Sequence, residues 1–283
     1  MTAIVSFGYR AERCVPGQPS VPSFTDKLTR DDYRPLFDAI ADGINSRGHV
    51  IAVYPEWSAE PTLRFLETSG SALDTRKVAV HASSLPPLAG GVLAGLAAAV
   101  GLYVTASGVL HASLPALERE LVVLALLGSV AGLSVPEPSM AQHLVSMMPS
   151  STFGVTFWPE PAVKTLSRKD RSVPLPTSYR PMSLAVSASE EEDTSWIDEV
   201  VAPALGGPAV KRYGPTPLGR LWWGTQHLIE GVAYPIDVPV TARRVGEGLS
   251  TSLCRWCGEA IAAARCPFCG IEESQGALAG GAA

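Results

Sequence analysis

The chain of 283 residues sets 22 Lys and Arg against 27 Asp and Glu, a net charge of −5, and is 46% apolar and 17% charged. That balance excludes a wholly disordered chain, which needs low hydrophobicity and high net charge, and it argues against a protein wrapped around duplex nucleic acid. The 26 Gly and 24 Pro follow no three-residue period, so the chain is not collagen-like.

In chain order, Ala3–Gly8 predicts a first strand, and Arg10 to Asp26, rich in Pro and Gly, a long loop. Thr29 to Asp32 opens a helix with Leu36, Phe37, Ile40 and Ile44 on one face and Gly48 at its end. Val50–Tyr54 predicts a buried strand. Ser58 is placed to cap a short helix that carries Pro61 in its first turn and ends at Gly70. Lys77–Ala82 predicts a third strand, Pro86–Val100 a helix closed by Gly101, and Leu102–Thr105 a further strand. Ser113 is placed to cap a helix with Pro115 near its start, Leu121–Leu127 buried in its second half, and Gly132 near its end. Ser139–Met148 predicts a short helix, Thr152–Trp158 a strand, and Pro161–Pro181 an exposed basic loop with Lys164, Arg168, Lys169, Arg171 and Arg180. Met182–Ser187 predicts a strand, and Trp196–Leu205 a helix behind the acidic run Glu190–Asp193.

Strands that alternate with helices for about 190 residues predict an α/β fold, a mostly parallel sheet with helices on both faces. The α/β domain is expected over 1–205. A Pro-rich extension with an amphipathic helix at Pro217–Glu230 is expected over 206–249, where Asp237–Val245 reads as a strand or an extended arm. A small zinc ribbon at 250–272 and a flexible tail at 273–283 complete the chain.

No Asp, Glu, Lys or Arg occurs from Val78 to Leu117, and Leu88–Leu110 is long enough to cross a bilayer. Much of that run is Ala and Gly, which add little to insertion. The following run, Leu121–Val135, is too short to span. A buried helix followed by a buried strand is equally apolar, and the soluble reading is preferred.

Four of the five cysteines, Cys254, Cys257, Cys266 and Cys269, fall within sixteen residues. That is metal-ligand spacing rather than a disulfide framework. Each Cys-x-x-Cys-Gly forms a tight turn that aims two thiolates at one point, and two such turns suit tetrahedral zinc. Four protein ligands leave no open coordination position, so the zinc is expected to be structural; an iron–sulfur cluster is the alternative. Residues 252–272, including Pro267 and Phe268 inside the second knuckle, resemble the short zinc-ribbon family. That resemblance implies protein or nucleic-acid contacts, or a stapled tail. Arg255, Trp256, Arg265 and Phe268 would give the ribbon a basic aromatic face, though Trp256 and Phe268 are preferred as its small core. Reduced thiols imply a reducing compartment. Met1–Gly8 has no basic, secretion-like start, so the cytoplasm is expected.

Ligands of open α/β sheets bind beyond the carboxyl ends of the strands. Those ends are expected to carry Tyr9, Arg10, Arg13, Glu56, His81, Ser83, Ser84, Thr105 and Ser107. His81 and Glu56 could serve as acid and base. Ser83 and Ser84 precede the Pro86 helix, whose N-terminus could hold an anion. There is no Gly-x-Gly-x-x-Gly, Walker loop or Gly-x-Ser-x-Gly motif. His49, His111, His143 and His227 form no ligand spacing, and Cys14 in its loop reads as inert rather than reactive. Trp222-Trp223 reads as a partner anchor or as core. The leading expectation is therefore a non-enzymatic interaction or assembly protein that docks to a protein partner through its ribbon and Pro-rich arm. The alternatives are an enzyme or small-molecule binder acting at the strand ends, and a membrane-associated protein with a helical hairpin at 88–135.

Overall fold

The computed structural model describes residues 2–273 apart from 12, 16, 26–30, 74, 149–150, 168 and 177–179. The helix opening expected at Thr29, Arg168 of the basic loop, and all of the expected tail beyond Glu273 lie outside these residues, as does the side chain of Ser58. The elements begin with β1 (Thr2–Phe7), β2 (Ser23–Phe24), α1 (Tyr33–Arg47), β3 (His49–Pro55), α2 (Ala59–Ala72), β4 (Val78–Ser83), α3 (Pro87–Val100) and α4 (Ser107–Glu118). They continue with β5 (Val122–Leu127), α5 (Met140–Ser146), β6 (Phe153–Trp158), β7 (Ala162–Thr165) and β8 (Met182–Ala188). A wide turn at Ile197–Val201 leads into α6 (Ala202–Ala204). Last come β9 (Ala209–Tyr213), α7 (Gly219–Trp223), β10 (Leu228–Pro235), α8 (Val238–Gly246), β11 (Ser252–Leu253) and β12 (Ala260–Ile261).

The class is α/β, and the chain divides into two discontinuous units. The first comprises Met1–Leu85, Leu93–Glu118 and Asp237–Ala283; the second comprises Pro86–Val92 and Arg119–Ile236. Residues 206–249 are thus shared out, with β9, α7 and β10 in the second unit and α8 in the first.

The first unit holds the parallel sheet, in the order β2-β1-β3-β4. Period-2 alternation sends Val5, Phe7, Val50, Ala52 and Tyr54 to one face, where Leu36 and Ile40 of α1 and Leu66 of α2 cover them. Ile4, Ile51, Val53 and Ala79 point the other way and are also buried. The apolar residues Leu110, Leu114 and Leu117 of α4 are buried too, and α4 packs on β3 and β4. At the start of α4, Gly108 bridges to Ile261 of β12. A Cβ there would collide with the Ala260 carbonyl and the Ile261 backbone. Only glycine allows this approach of the cysteine-rich segment to the helix.

The second unit holds a six-stranded sheet in the order β7-β6-β5-β10-β8-β9, antiparallel except for β8 and β9. Its core joins Val122 and Leu124 of β5, Leu184 and Val186 of β8, and Ile229 and Ala233 of β10 to Trp196, Ile197 and Val201. This antiparallel pairing differs from the mostly parallel sheet expected. Strands buried on both faces read as unbroken apolar runs, which carry no signal of direction.

Several elements differ from expectation for identifiable reasons. Leu121–Leu127 is not the end of a helix but β5, a strand flanked on both sides in its sheet; a run of seven apolar residues suits either state. Leu102–Thr105 is a turn between α3 and α4, not a strand, and Ser113 lies inside α4, which starts at Ser107. The helix expected at Pro217–Glu230 shrinks to α7 and is followed by β10, buried along all eight residues. Asp237–Val245 is helical, with Asp237 accepting from the Val240 N–H at 3.1 Å. Among the described residues no helix is long and apolar enough to cross a membrane, so the hairpin at 88–135 is replaced by α3, α4 and β5.

Gly108→Ala is expected to lower the stability of the first unit by about 1–3 kcal/mol, the usual range for overpacking. A urea denaturation curve measured against the parent protein checks this.

Candidate functional site

At the carboxyl ends of β1 and β4, one carboxylate gathers two side chains. Ser83 Oγ donates to Glu118 Oε1 at 2.7 Å, and His81 Nε2 lies 3.1 Å from the same oxygen. Glu118 is the last residue of α4, so the helix delivers the acid to the strand end. Since a carboxylate oxygen accepts, the pairing has His81 Nε2 as the donor. His111 sits edge-on to His81 with ring centroids 6.1 Å apart, and its Nε2 bonds the Val80 carbonyl at 2.8 Å. Burial lowers the His111 pKa against the opposing pull of that bond. Tyr9, only 1% exposed, holds its hydroxyl 3.0 Å from the Ser83 carbonyl and 3.1 Å from that of Leu85. Burial pushes its pKa far above the ordinary phenol value; the bond at Ser83 opposes this, and the charges of Glu118 and Glu56 add to it.

The structure therefore brings together Tyr9, His81 and Ser83 as expected, but joins His81 to Glu118 rather than to Glu56. Glu56 follows β3 in an exposed turn and acts on Tyr9 only through its charge. Ser83 gives its proton to Glu118 and not to His81, so the pair is not wired as nucleophile and base. Ser84, Arg10, Arg13 and Thr105 are exposed, while Ser107 receives the Thr2 hydroxyl at 2.8 Å, at the opposite end of β1. Glu118 escaped sequence reasoning because it lies 35 residues from Ser83. The available signal was its place as the first charge after the uncharged run from Val78 to Leu117.

The anion expected at the start of α3 is already supplied by the second unit. Glu230 of β10 accepts from the Leu88 N–H at 3.4 Å and from Trp223 Nε1 at 2.9 Å, and it also takes the Thr216 hydroxyl. Pro86 and Pro87 contribute no N–H of their own, which leaves the helix terminus with few donors to spare. Burial raises the pKa of Glu230 against the pull of these three bonds. Trp223 is thus a core residue, and Trp222 packs edge-on against Phe157 at 5.3 Å. Of the basic segment, part of which is β7, three cations are paired: Lys164 with Asp170 at 2.7 Å, Arg171 with Glu199 at 3.2 Å, and Arg180 with Glu120.

Near the chain's end, the Sγ atoms of Cys254, Cys257, Cys266 and Cys269 all lie within 4.8 Å of one another. The pair Cys254–Cys269 is 3.5 Å apart and Cys257–Cys266 is 3.6 Å apart. Four sulfurs about 2.3 Å from a central ion stand about 3.8 Å apart, so the four residues could hold a metal ion. Both knuckles close alike, with the Gly258 N–H on the Cys254 carbonyl at 2.9 Å and the Gly270 N–H on that of Cys266 at 3.0 Å. Burial pushes the Cys257 thiol up to about 12, so a cation binding there at neutral pH must displace protons. The segment is seated on its unit. Phe268, 8% exposed, packs against His49 with tilted rings 4.7 Å apart, and His49 reaches Glu259 at 2.9 Å. Trp256 is 66% exposed and is not part of a ribbon core. Cys14 is buried, and His143 lies on α5 away from these groups in sequence.

A parallel-sheet unit and a largely antiparallel unit, interleaved along one chain, place the protein among two-unit α/β folds. No family model and no curated relative matches the sequence. Solved structures do match. A DegV family protein from Corynebacterium glutamicum superimposes with a TM-score of 0.55 at 12% identity, over 82% of this chain and 96% of that one. A DegV family protein from Thermus thermophilus, described for its fatty acid binding, gives 0.54 at 12% identity, over 83% and 99%. A third, from Eubacterium eligens and loaded with heptadecanoic acid, gives 0.53 at 9% identity, over 83% and 100%. The protein has the fold of these structures.

That likeness overturns the leading expectation of an assembly protein docking through its ribbon and arm. The fold is one in which solved proteins hold a small molecule, and the supposed arm is built into the two units as β9, α7, β10 and α8.

Glu230 yields a pH dependence with a definite sign. Its folded pKa lies above the ordinary 4.5, so its contribution to stability is complete below about pH 4.5 and is lost as the pH rises through the folded value. The urea midpoint of the parent is expected to fall relative to that of Glu230→Gln as the pH is raised from 4.5 toward neutrality. A constant difference across that range counts against this assignment.

Proposed function

We propose that the protein binds a small amphiphilic molecule of the fatty-acid class, with its polar end at the His81–Ser83–Glu118 cluster. The observation that carries this reading is the fold likeness at TM-scores of 0.53 and 0.54 along nearly the whole length of two proteins described with fatty acids. The cluster adds chemical support. His81 Nδ1 and the exposed Ser84 hydroxyl are hydrogen-bonding groups at a carboxyl strand end, and Glu118 holds the imidazole in one orientation.

The four cysteines hold zinc in this reading, as a structural ion with no open position. Support comes from the sulfur spacing, the two matching knuckles and the resemblance to short zinc ribbons. A thiolate set of this kind fits a reducing compartment, and the cytoplasm is the proposed location.

Two experiments test these statements. Native mass spectrometry of purified protein incubated with oleate should show a protein–oleate complex, and His81→Ala should weaken it about tenfold, the loss of one hydrogen bond to a charged group. No binding of any long-chain carboxylate overturns the reading. Elemental analysis should find one zinc per chain, retained by the parent and lost by Cys257→Ser; a parent free of metal after reduction overturns the zinc assignment.

A further inference from the structure

The first unit contains a cavity of about 500 Å3 between α2, β4 and the second cysteine knuckle. Its volume falls in the range of small-molecule pockets. Its wall on α2 is one helical face, Leu63, Leu66, Glu67 and Gly70, at spacings i, i+3, i+4 and i+7. Val78 and Val80 of β4 form its floor, and Phe268 closes the far side.

On the α2 side the cavity is lined at residue 70 by glycine, which puts no side chain into it. Nothing in the backbone asks for glycine there. Gly70 does not adopt a left-handed conformation, and a Cβ would meet only the Thr75 carbonyl, at an ordinary 3.6 Å. In a helix glycine costs about 0.5–1 kcal/mol relative to alanine. A leucine would continue the apolar face and fill the gap.

The polar groups at this gap are of two signs. The chain turns back after α2 with the Thr75 N–H on the Gly70 carbonyl at 3.0 Å. Arg76 and Glu67 both line the cavity, as does Ser71, whose hydroxyl donates to the Glu67 carbonyl at 3.0 Å. An apolar floor beneath one cation and one anion matches a molecule with an apolar body and both charges close together.

We propose that this cavity binds a free apolar amino acid, with its carboxylate on Arg76, its ammonium on Glu67 and its side chain against Val78, Val80 and Phe268. Phe268 lies between Cys266 and Cys269 in a segment whose paired strands have two residues each. Such a segment has no hydrophobic core of its own to hold its shape. A metal ion at the four cysteines therefore fixes the cavity wall and sets the ligand affinity, and by linkage the ligand raises metal affinity by the same factor. The metal dependence rests on the zinc reading above; the cavity and its ligand class do not, and neither depends on the fatty-acid site.

The test uses zinc-loaded, full-length protein and 4-fluorophenylalanine followed by fluorine NMR. Saturable binding is expected. Fluorinated phenylpropionate, which lacks the ammonium, and fluorinated phenethylamine, which lacks the carboxylate, should each bind at least tenfold more weakly. Gly70→Leu should abolish the signal while oleate binding and the melting temperature are retained. If that variant fails to fold, Ser71→Trp on the same lining is expected to block binding instead. Arg76→Glu should weaken binding at least tenfold, and so should removal of the metal by chelation. The site is wrong if 4-fluorophenylalanine does not bind, or binds the folded filling variant as it binds the parent. The ligand class is wrong if either singly charged analogue matches the amino acid. The coupling is wrong if chelated and zinc-loaded proteins bind it equally.

Discussion

The close approach of Gly108 to β12 is the constraint on which the first unit turns. It seats the cysteine-bearing segment on the first turn of α4, beside the hydrogen bond from Thr2 to Ser107 at the start of β1. From there α4 runs 12 residues, about 18 Å at 1.5 Å per residue. It ends on Glu118, which receives Ser83 and His81. One helix thus holds a sulfur cluster near one end of the sheet and a hydrogen-bonded polar cluster at the other. Its apolar residues Leu110, Leu114 and Leu117 lock its rotation, and with it the direction in which Glu118 projects.

A half-buried carboxylate in the first unit and a buried one in the second organise their surroundings in the same physical manner, by offering more acceptor capacity than a single donor can use. Glu118 accepts two side chains on one oxygen. Glu230 accepts a backbone N–H, an indole and a hydroxyl in full burial. For Glu230 the consequence is chemical as well as structural. A helix N-terminus that the sequence offers as an anion site is occupied by the protein's own side chain.

The parts of the fold that were legible in the sequence are those with local signals. The strands β1, β3 and β4 show as short apolar runs between turn residues. Helix α1 shows through Leu36, Ile40 and the closing Gly48, whose N–H bonds the Ile44 carbonyl at 2.8 Å. The cysteines are legible because their spacing alone converges four sulfurs. What was not legible depended on partners distant in sequence. β5 is apolar on both faces, and only its antiparallel neighbours β6 and β10 make it a strand. The α8 segment is rich in β-branched residues, which suit a strand or extended arm, although Asp237 and Pro239 are start signals for a helix. Glu118 was passed over for the same reason. Its meaning comes from β4, more than thirty residues earlier.

The bond from His111 to the Val80 carbonyl has a consequence for self-association. β4 is an outer strand of the parallel sheet, and the opposite border is β2, two residues long. An exposed border strand presents unpaired carbonyls and amides that recruit a foreign strand. Here the imidazole already engages a carbonyl of β4, and β2 is too short to template a partner. Each feature removes part of the pairing edge that a foreign strand would need.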